Sequence, residues 1–174
     1  MAQTVPTIRP AHPGDAAGVS RLLARSYGAL LASHYPRTLV EAMLPSVAQA
    51  NAALLRSRTW YVIEDPELGI IACGGWTRER PGGGINPPGL GHMRNVATDP
   101  AFTRRGYGAA IVRRCLRDAA GAGMVTLESI STLMAVPFYK ACGFQALRRV
   151  HLQLAPGLRF PCVQMLRDVD YPPV

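Results

Sequence analysis

A chain of 174 residues, 48% of them hydrophobic, is long enough to bury one full core and too short for two, so a single domain spanning 1–174 is expected. The net charge of +8 is dispersed among acidic and apolar residues without an aromatic-rich basic stripe, which argues against a nucleic-acid partner and for a basic surface suited to an anionic ligand. Neither a run of about 18 apolar residues nor a secretory layout at the N-terminus is present, so no membrane association is expected and a cytoplasmic location follows.

Thr4 to Arg9 reads as a first strand, after which Val19, Leu22, Leu23, Tyr27, Leu30 and Leu31 recur at helical spacing. Thr38 followed by Glu41 has capping-box spacing and predicts a second helix that Pro45 limits; a short helix is expected from Ala48 to Leu55. Thr59–Glu64 and Gly69–Arg78 flank the turn-forming Asp65-Pro66-Glu67-Leu68 and predict an antiparallel hairpin. The Gly- and Pro-rich stretch from Pro81 to Gly89 is a flexible loop.

Leu90–Ala97 is the next predicted strand, Gly106–Ala120 a helix with Ile111, Val112, Cys115, Leu116 and Ala119 facing the core, and Met124–Ile130 a further strand. A helix from Leu133 to Cys142 stops at Gly143, and Arg149–Leu154 with Phe160–Leu166 forms a closing hairpin around Ala155-Pro156-Gly157. Cys73, Cys115, Cys142 and Cys162 are scattered, with no C-x-x-C pair, so neither a disulfide framework nor a metal site is expected.

The segment from Val96 to Ala110 follows a strand and opens a helix. Such a junction binds anions, because the first helical turn has backbone N–H groups without internal partners and lies at the positive end of the macrodipole. Glycines at 106 and 108 allow close approach, and Arg104 and Arg105 add charge. A P-loop is ruled out because no Lys-Ser or Lys-Thr follows the glycines, and a dinucleotide fold because G-x-G-x-x-G is absent. A coenzyme A cradle and a plain tight turn remain.

Further on stands Pro137-Phe138-Tyr139-Lys140-Ala141-Cys142-Gly143-Phe144. Together the two segments resemble the Gcn5-related N-acetyltransferase (GNAT) family, in which a strand ending in V-x-P-x-x-[QR]-x-x-G-x-[GA] is followed by a strand, a helix and F-Y-x-x-x-G-F. The resemblance implies one α/β (α+β) domain whose mixed central sheet has splayed parallel strands, here Leu90–Ala97 and Met124–Ile130, with acetyl-CoA as co-substrate wedged between them. It places the pantetheine arm along Val96, Ala97 and Thr98, and the pyrophosphate at Arg104, Arg105, Gly106, Tyr107, Gly108 and Ala109, with Phe138 and Thr132 beside the cofactor. Two positions depart from the pattern: Thr103 stands where the family has Gln or Arg, and Thr132 where Asn is frequent.

The implied activity is transfer of the acetyl group to a primary amine by direct attack. An amine of pKa about 10.4 is neutral in only roughly 1 of 2,500 molecules at pH 7, a cost of about 4.6 kcal/mol, so a base or a depressed amine pKa is required. Tyr139 matches the family tyrosine near the thioester sulfur and is the candidate acid; the competing reading is a core aromatic beside Phe138. Glu128, a carboxylate in an apolar strand, and His92, whose natural pKa suits a base, are the candidates for proton removal. A solvent-facing Glu128 and a structural His92 are the alternatives. Tyr27, Tyr35 and Trp76 are candidates for the acceptor wall or for the core. The acceptor stays open among small amines, amino acids, aminoglycosides and peptide N-termini, as does a homodimer. An acyl-CoA-binding sensor without catalysis on the same fold is the rival reading.

Overall fold

The computed structural model of the chain describes residues 6–169. Among them seven strands are present: β1 (Thr7–Pro10), β2 (Trp60–Asp65), β3 (Gly69–Thr77), β4 (Leu90–Thr98), β5 (Thr126–Thr132), β6 (Gln145–Ala155) and β7 (Leu158–Asp168). They form one sheet in the order β1-β2-β3-β4-β5-β7-β6, antiparallel throughout except between β4 and β5. Thr4 and Val5, included in the expected first strand, lie outside the described residues.

Five α-helices cover the sheet among the described residues: α1 (Ala16–Leu30), α2 (Arg37–Val47), α3 (Ala52–Arg56), α4 (Tyr107–Gly121) and α5 (Val136–Ala141). Strand alternation divides the core between the two faces. Val62, Cys73 and Ala97 pack with Val19, Leu22 and Leu23 of α1 on one face. Tyr61, Ile63, Ala72 and Leu127 pack with Ile111, Val112, Cys115 and Leu116 of α4 on the other. At about 1.5–3 kcal/mol for each large apolar side chain removed from water, α4 is held by that stripe. A third cluster joins Val40 and Met43 of α2 to Phe160 and Cys162 of β7.

Three sequence expectations shift. α2 starts at Arg37, because Pro36 at its N-cap position supplies φ −56°, and no side chain caps it. Glu41, expected in a capping box with Thr38, accepts instead from Arg37 Nε at 2.7 Å. Pro45 sits inside α2, which continues to Val47; the carbonyl deprived of its partner belongs to exposed Glu41, where water can serve it. α3 begins at Ala52 because Asn51 Oδ1 accepts from the N–H groups of Ala53 and Leu54 at 2.9 and 3.2 Å.

The feature that positions the site is the β4–β5 pair. It holds through Leu90–Thr126, Gly91–Leu127 and His92–Glu128, then stops, although β4 continues to Thr98 and β5 to Thr132. β5 stays paired along its other edge with β7 to Thr132–Cys162, so the two strands part and the sheet splays.

Candidate active site

The parting strands enclose a cavity of about 230 Å³ walled by Met93, Arg94, Asn95 and Val96 of β4, Ser129 to Thr132 of β5, and Tyr139 of α5. A bulge bends β4 here: Gly75 pairs with Arg94 and Cys73 with Ala97, so Asn95 and Val96 together oppose Gly74. Asn95 takes φ +48°. A Cβ on Gly74 would lie 2.8 Å from Val96, so the bulge admits only glycine there. Trp60 Nε1 donates to the Arg94 carbonyl at 3.1 Å and ties the bend to β2.

At the far end of β4, Asp99 fixes the strand-to-helix turn: its carboxylate accepts from the Ala101 N–H at 2.9 Å and pairs with Arg25 at 3.2 Å. Arg104 at φ +65° and Gly106 at φ +85° turn the chain into α4. Ala110 N–H bonds the Gly106 carbonyl, so the amides before it have no acceptor within the helix. A Cβ on Gly106 would meet nothing within 4 Å, which leaves this helix N-terminus open. Arg104 and Arg105 are exposed, Arg105 lying 4.9 Å over the Phe102 ring. The Tyr107 ring also leans on Phe102, at 6.3 Å. Thr103 Oγ1 donates to the Pro100 carbonyl at 3.2 Å, so this departure from the family pattern serves the turn.

Gly108 has a different reason to be glycine. A Cβ there would come 3.1 Å from Phe138, so its small size lets α5 close on α4, with Phe138 edge-on to Tyr139 at 5.1 Å. Ala109 follows half-buried in the same turn, and Thr132 closes β5 at the cavity wall.

His92 and Glu128 form the last rung before the splay, both lining the cavity and both buried, at 2% and 4% exposure. His92 Nδ1 is 3.4 Å from Glu128 Oε1 and has no hydrogen-bond partner among the described residues. The other ring nitrogen meets Asn86 Oδ1 at 2.6 Å. Asn86 Nδ2 donates to the carbonyls of Arg78 and Leu90 at 2.9 and 2.7 Å, so its oxygen must face the imidazole. Hence Nε2 carries the proton in the neutral ring, and Nδ1 presents a bare lone pair. Burial pushes the His92 pKa below its ordinary value of 6.5; nearby Arg80 and Arg94 push the same way, and Glu128 opposes them. Glu128 Oε2 accepts from Gln164 Nε2 at 2.8 Å, and Gln164 Oε1 accepts from Arg148 Nε at 2.8 Å.

Tyr139 is buried on the opposite side of β5, beside Ser129. Burial pushes its phenol well above the ordinary value of 10, with Ser129 opposing. Of the three candidates for the acceptor wall or the core, Tyr27 lines the cavity, whereas Tyr35 and Trp76 do not. Tyr35 donates to the Pro161 carbonyl at 2.7 Å, accepts from Leu133 N–H at 2.7 Å and stacks on Phe160. Trp76 packs in the α4 core. Asn86 and Gln164 escaped the sequence reading. Gln164 carried a usable signal, a polar side chain in an apolar strand; Asn86, in a loop of nine Gly, Pro, Ile and Asn residues, carried none.

Residues 56–146, more than half of the chain, match the model of the acetyltransferase (GNAT) domain, and the chain belongs to the GNAT acetyltransferase family. Its fold is similar to a GCN5-related N-acetyltransferase from Rhodopseudomonas palustris at 17% identity, covering 97% of this chain and 98% of that one, with a TM-score of 0.74. It is likewise similar to the PaiA N-acetyltransferase of Thermoplasma acidophilum in complex with coenzyme A (12% identity, 95% and 99% covered, TM-score 0.71). The ribosomal-protein-S18-alanine N-acetyltransferase of Escherichia coli gives 14% identity, 97% coverage of both chains and a TM-score of 0.62. No curated protein sequence matches. No helix among the described residues is long and apolar enough to cross a membrane.

Proposed function

We propose that this chain transfers the acetyl group of acetyl-CoA to a primary amine by direct attack within a ternary complex. The observation that carries the reading is the splay of β4 from β5 immediately past His92 and Glu128, which leaves a strand edge unpaired and ends beside an open helix N-terminus. Val96, Ala97 and Thr98 offer that edge to an extended pantetheine arm as an added strand would use it. The amides opening α4, with Gly106, Gly108, Ala109 and the cations Arg104 and Arg105, suit a pyrophosphate. Phe138 and Thr132 flank the path between them.

Acetyl-CoA supplies an acetyl group activated as a thioester. His92 Nδ1 accepts the amine proton, since Asn86 holds the ring in the tautomer with Nδ1 free and its lowered pKa keeps it neutral at pH 7. Glu128, 3.4 Å away, stabilises the imidazolium that results. Tyr139 faces the sulfur end. A thiol of pKa about 8.5 is a stronger acid than a tyrosine held above 10, so Tyr139 serves as hydrogen-bond donor and complete proton transfer from it is uphill.

Calorimetric titration with acetyl-CoA, followed by thiol release with a panel of amines, tests this reading. Binding should stabilise the chain by about 2.7 kcal/mol at 100 times the dissociation constant. No heat of binding and no thermal shift at millimolar acetyl-CoA would refute it. Binding without turnover of any amine would favour the sensor.

A further inference from the structure

We infer that the acceptor is an amino carboxylate, its carboxylate paired with Arg94 while its amine lies at His92 and Glu128. This rests on the acetyl-transfer reading and adds the substrate class.

Arg94 stands two residues from His92 along β4, and pairs with Gly75 as His92 pairs with Thr77, so the two side chains share one face of the sheet. It is half-buried and belongs to the cavity wall. Its guanidinium has one hydrogen bond among the described residues, from Nη1 to Thr77 Oγ1 at 3.1 Å, and no ion pair with a described carboxylate. Thr77 Oγ1 is itself fixed by donating to the Glu79 carbonyl at 2.9 Å. Four other arginines have carboxylate partners: Arg9 has Asp15, Arg25 has Asp99, Arg37 has Glu41 and Arg114 has Asp118. Arg94 is more buried than the exposed Arg37 and yet lacks one.

A guanidinium has five N–H donors in a planar fork matched to a carboxylate, so most of the Arg94 donors remain for a ligand. A permanently charged group withdrawn from water without an anion is costly, and an anionic ligand removes that cost. Burial accordingly pushes the Arg94 pKa down, with the more distant Glu79 opposing. Glu128 beside His92 suits the acceptor's ammonium, whereas Arg94 in the same cavity wall has no anion among the described residues, so an acceptor carrying only ammonium groups leaves Arg94 unpaired. A zwitterion does not, because its carboxylate neutralises Arg94. The opposite wall is apolar, with Met43, Val47, Leu152 and Phe160, and suits an aliphatic side chain. A polyamine brings no anion to Arg94, and a peptide N-terminus brings an amide where Arg94 wants an anion.

The experiment measures kcat/KM with acetyl-CoA for leucine, leucinamide and isoamylamine, at one pH and corrected for the neutral fraction of each amine. The wild-type chain should prefer leucine by about 10²-fold, the loss expected when one partner of a half-buried charge pair is removed. Arg94→Gln should bring the three acceptors to near-equal kcat/KM while acetyl-CoA affinity holds; Arg94→Lys should restore part of the preference. Equal use of amide, amine and acid by the wild-type chain overturns the inference and leaves acetyl transfer standing. So does turnover of peptide amines by a chain that acetylates none of the three. Failure to bind acetyl-CoA at all removes the underlying reading with it.

Discussion

His92 Nδ1 faces Glu128 Oε1 at 3.4 Å across the last paired rung of the two parallel strands, and beyond that rung the sheet opens. One connection therefore sets both the width of the cavity and the position of the proposed base: the backbone pair closes the sheet on one side, and the side-chain pair lines the cavity on the other. A base placed at the apex of a splay stays put as the strands diverge, since its own segment is still in the ladder.

Replacing His92 with Gln should lower kcat/KM by about 10²–10⁴-fold, the usual worth of a positioned base. Burial lowers the His92 pKa, so the ring is neutral and able to accept a proton above its folded-state pKa, and loses that ability as pH falls through it. The wild-type acid limb should thus fall below 6.5 and disappear in His92→Gln. Stability follows the same sign: between the folded-state pKa and 6.5 the unfolded chain binds more protons, so the contribution is complete above 6.5 and declines as pH drops through that window. Rate profiles and denaturation at several pH values check both.

Asn86→Ala should reduce kcat by about tenfold with KM for the amine nearly unchanged, because the loop residue acts on the imidazole and not on the substrate. Without Asn86 Oδ1 the proton is free to sit on Nδ1, which faces the Glu128 carboxylate, and Nδ1 then has no lone pair to accept a proton. The acid limb should move toward lower pH, because the neutral tautomer gains a carboxylate partner on Nδ1 while the imidazolium loses its acceptor at Nε2. A tenfold loss with an unchanged pH profile would mean that Asn86 only holds the loop.

The turn into α4 was legible because its cause is local. Arg104 and Gly106 take positive φ beside a helix start, and glycine with flanking arginines announces such a turn in any sequence. Glu128 was legible as a lone carboxylate in an apolar strand, and the splayed strands through the resemblance carried by Val96–Ala110 and Pro137–Phe144. The bulge at Asn95 was not, because it depends on Gly74, which is distant in sequence and is forced to be glycine by Val96 and Ile111. Nor was the Asn86 contact, which is made by a loop without periodicity. The α2 start misled because Thr38 and Glu41 have capping spacing, but Pro36 sets the helix two residues earlier and Arg37 captures the Glu41 carboxylate.

Gly106 and Gly108 should separate binding from folding. Gly106→Ala forces a side chain into φ +85° with open space around it, so it should cost about 1 kcal/mol of stability and weaken acetyl-CoA through the displaced amides. Gly108→Val drives its side chain into Phe138, already 3.1 Å from a bare Cβ, and should lose both stability and affinity, by about 1–3 kcal/mol in folding. Calorimetric affinity beside chemical denaturation reads the difference. Equal affinity in Gly106→Ala and the wild-type chain would take the helix start out of phosphate binding.

Tyr139→Phe should keep acetyl-CoA affinity within a few-fold and lower kcat and kcat/KM together, because the ring still packs between Phe138 and Phe144, at 5.1 and 5.2 Å, while the hydroxyl is gone. General-acid assistance is worth roughly 10²–10⁴-fold where the proton moves fully. Here burial holds the phenol above its ordinary value of 10, so the group stabilises a thiolate by hydrogen bonding and the loss should lie toward the lower end of that range. The sign of the shift also fixes the pH behaviour: a raised tyrosine pKa leaves the phenol protonated across the working range, so Tyr139 should contribute no basic limb below 10. Deleting a buried hydroxyl beside Ser129 should cost about 0.5–1.5 kcal/mol of stability, small enough for a melting curve to show a folded variant. Measured with a proven acceptor at saturating acetyl-CoA, a folded Tyr139→Phe chain with wild-type turnover would remove the hydroxyl from the reaction. A basic limb below pH 10 that vanishes in the variant would instead mean that Tyr139 ionises during turnover, against the effect of its burial.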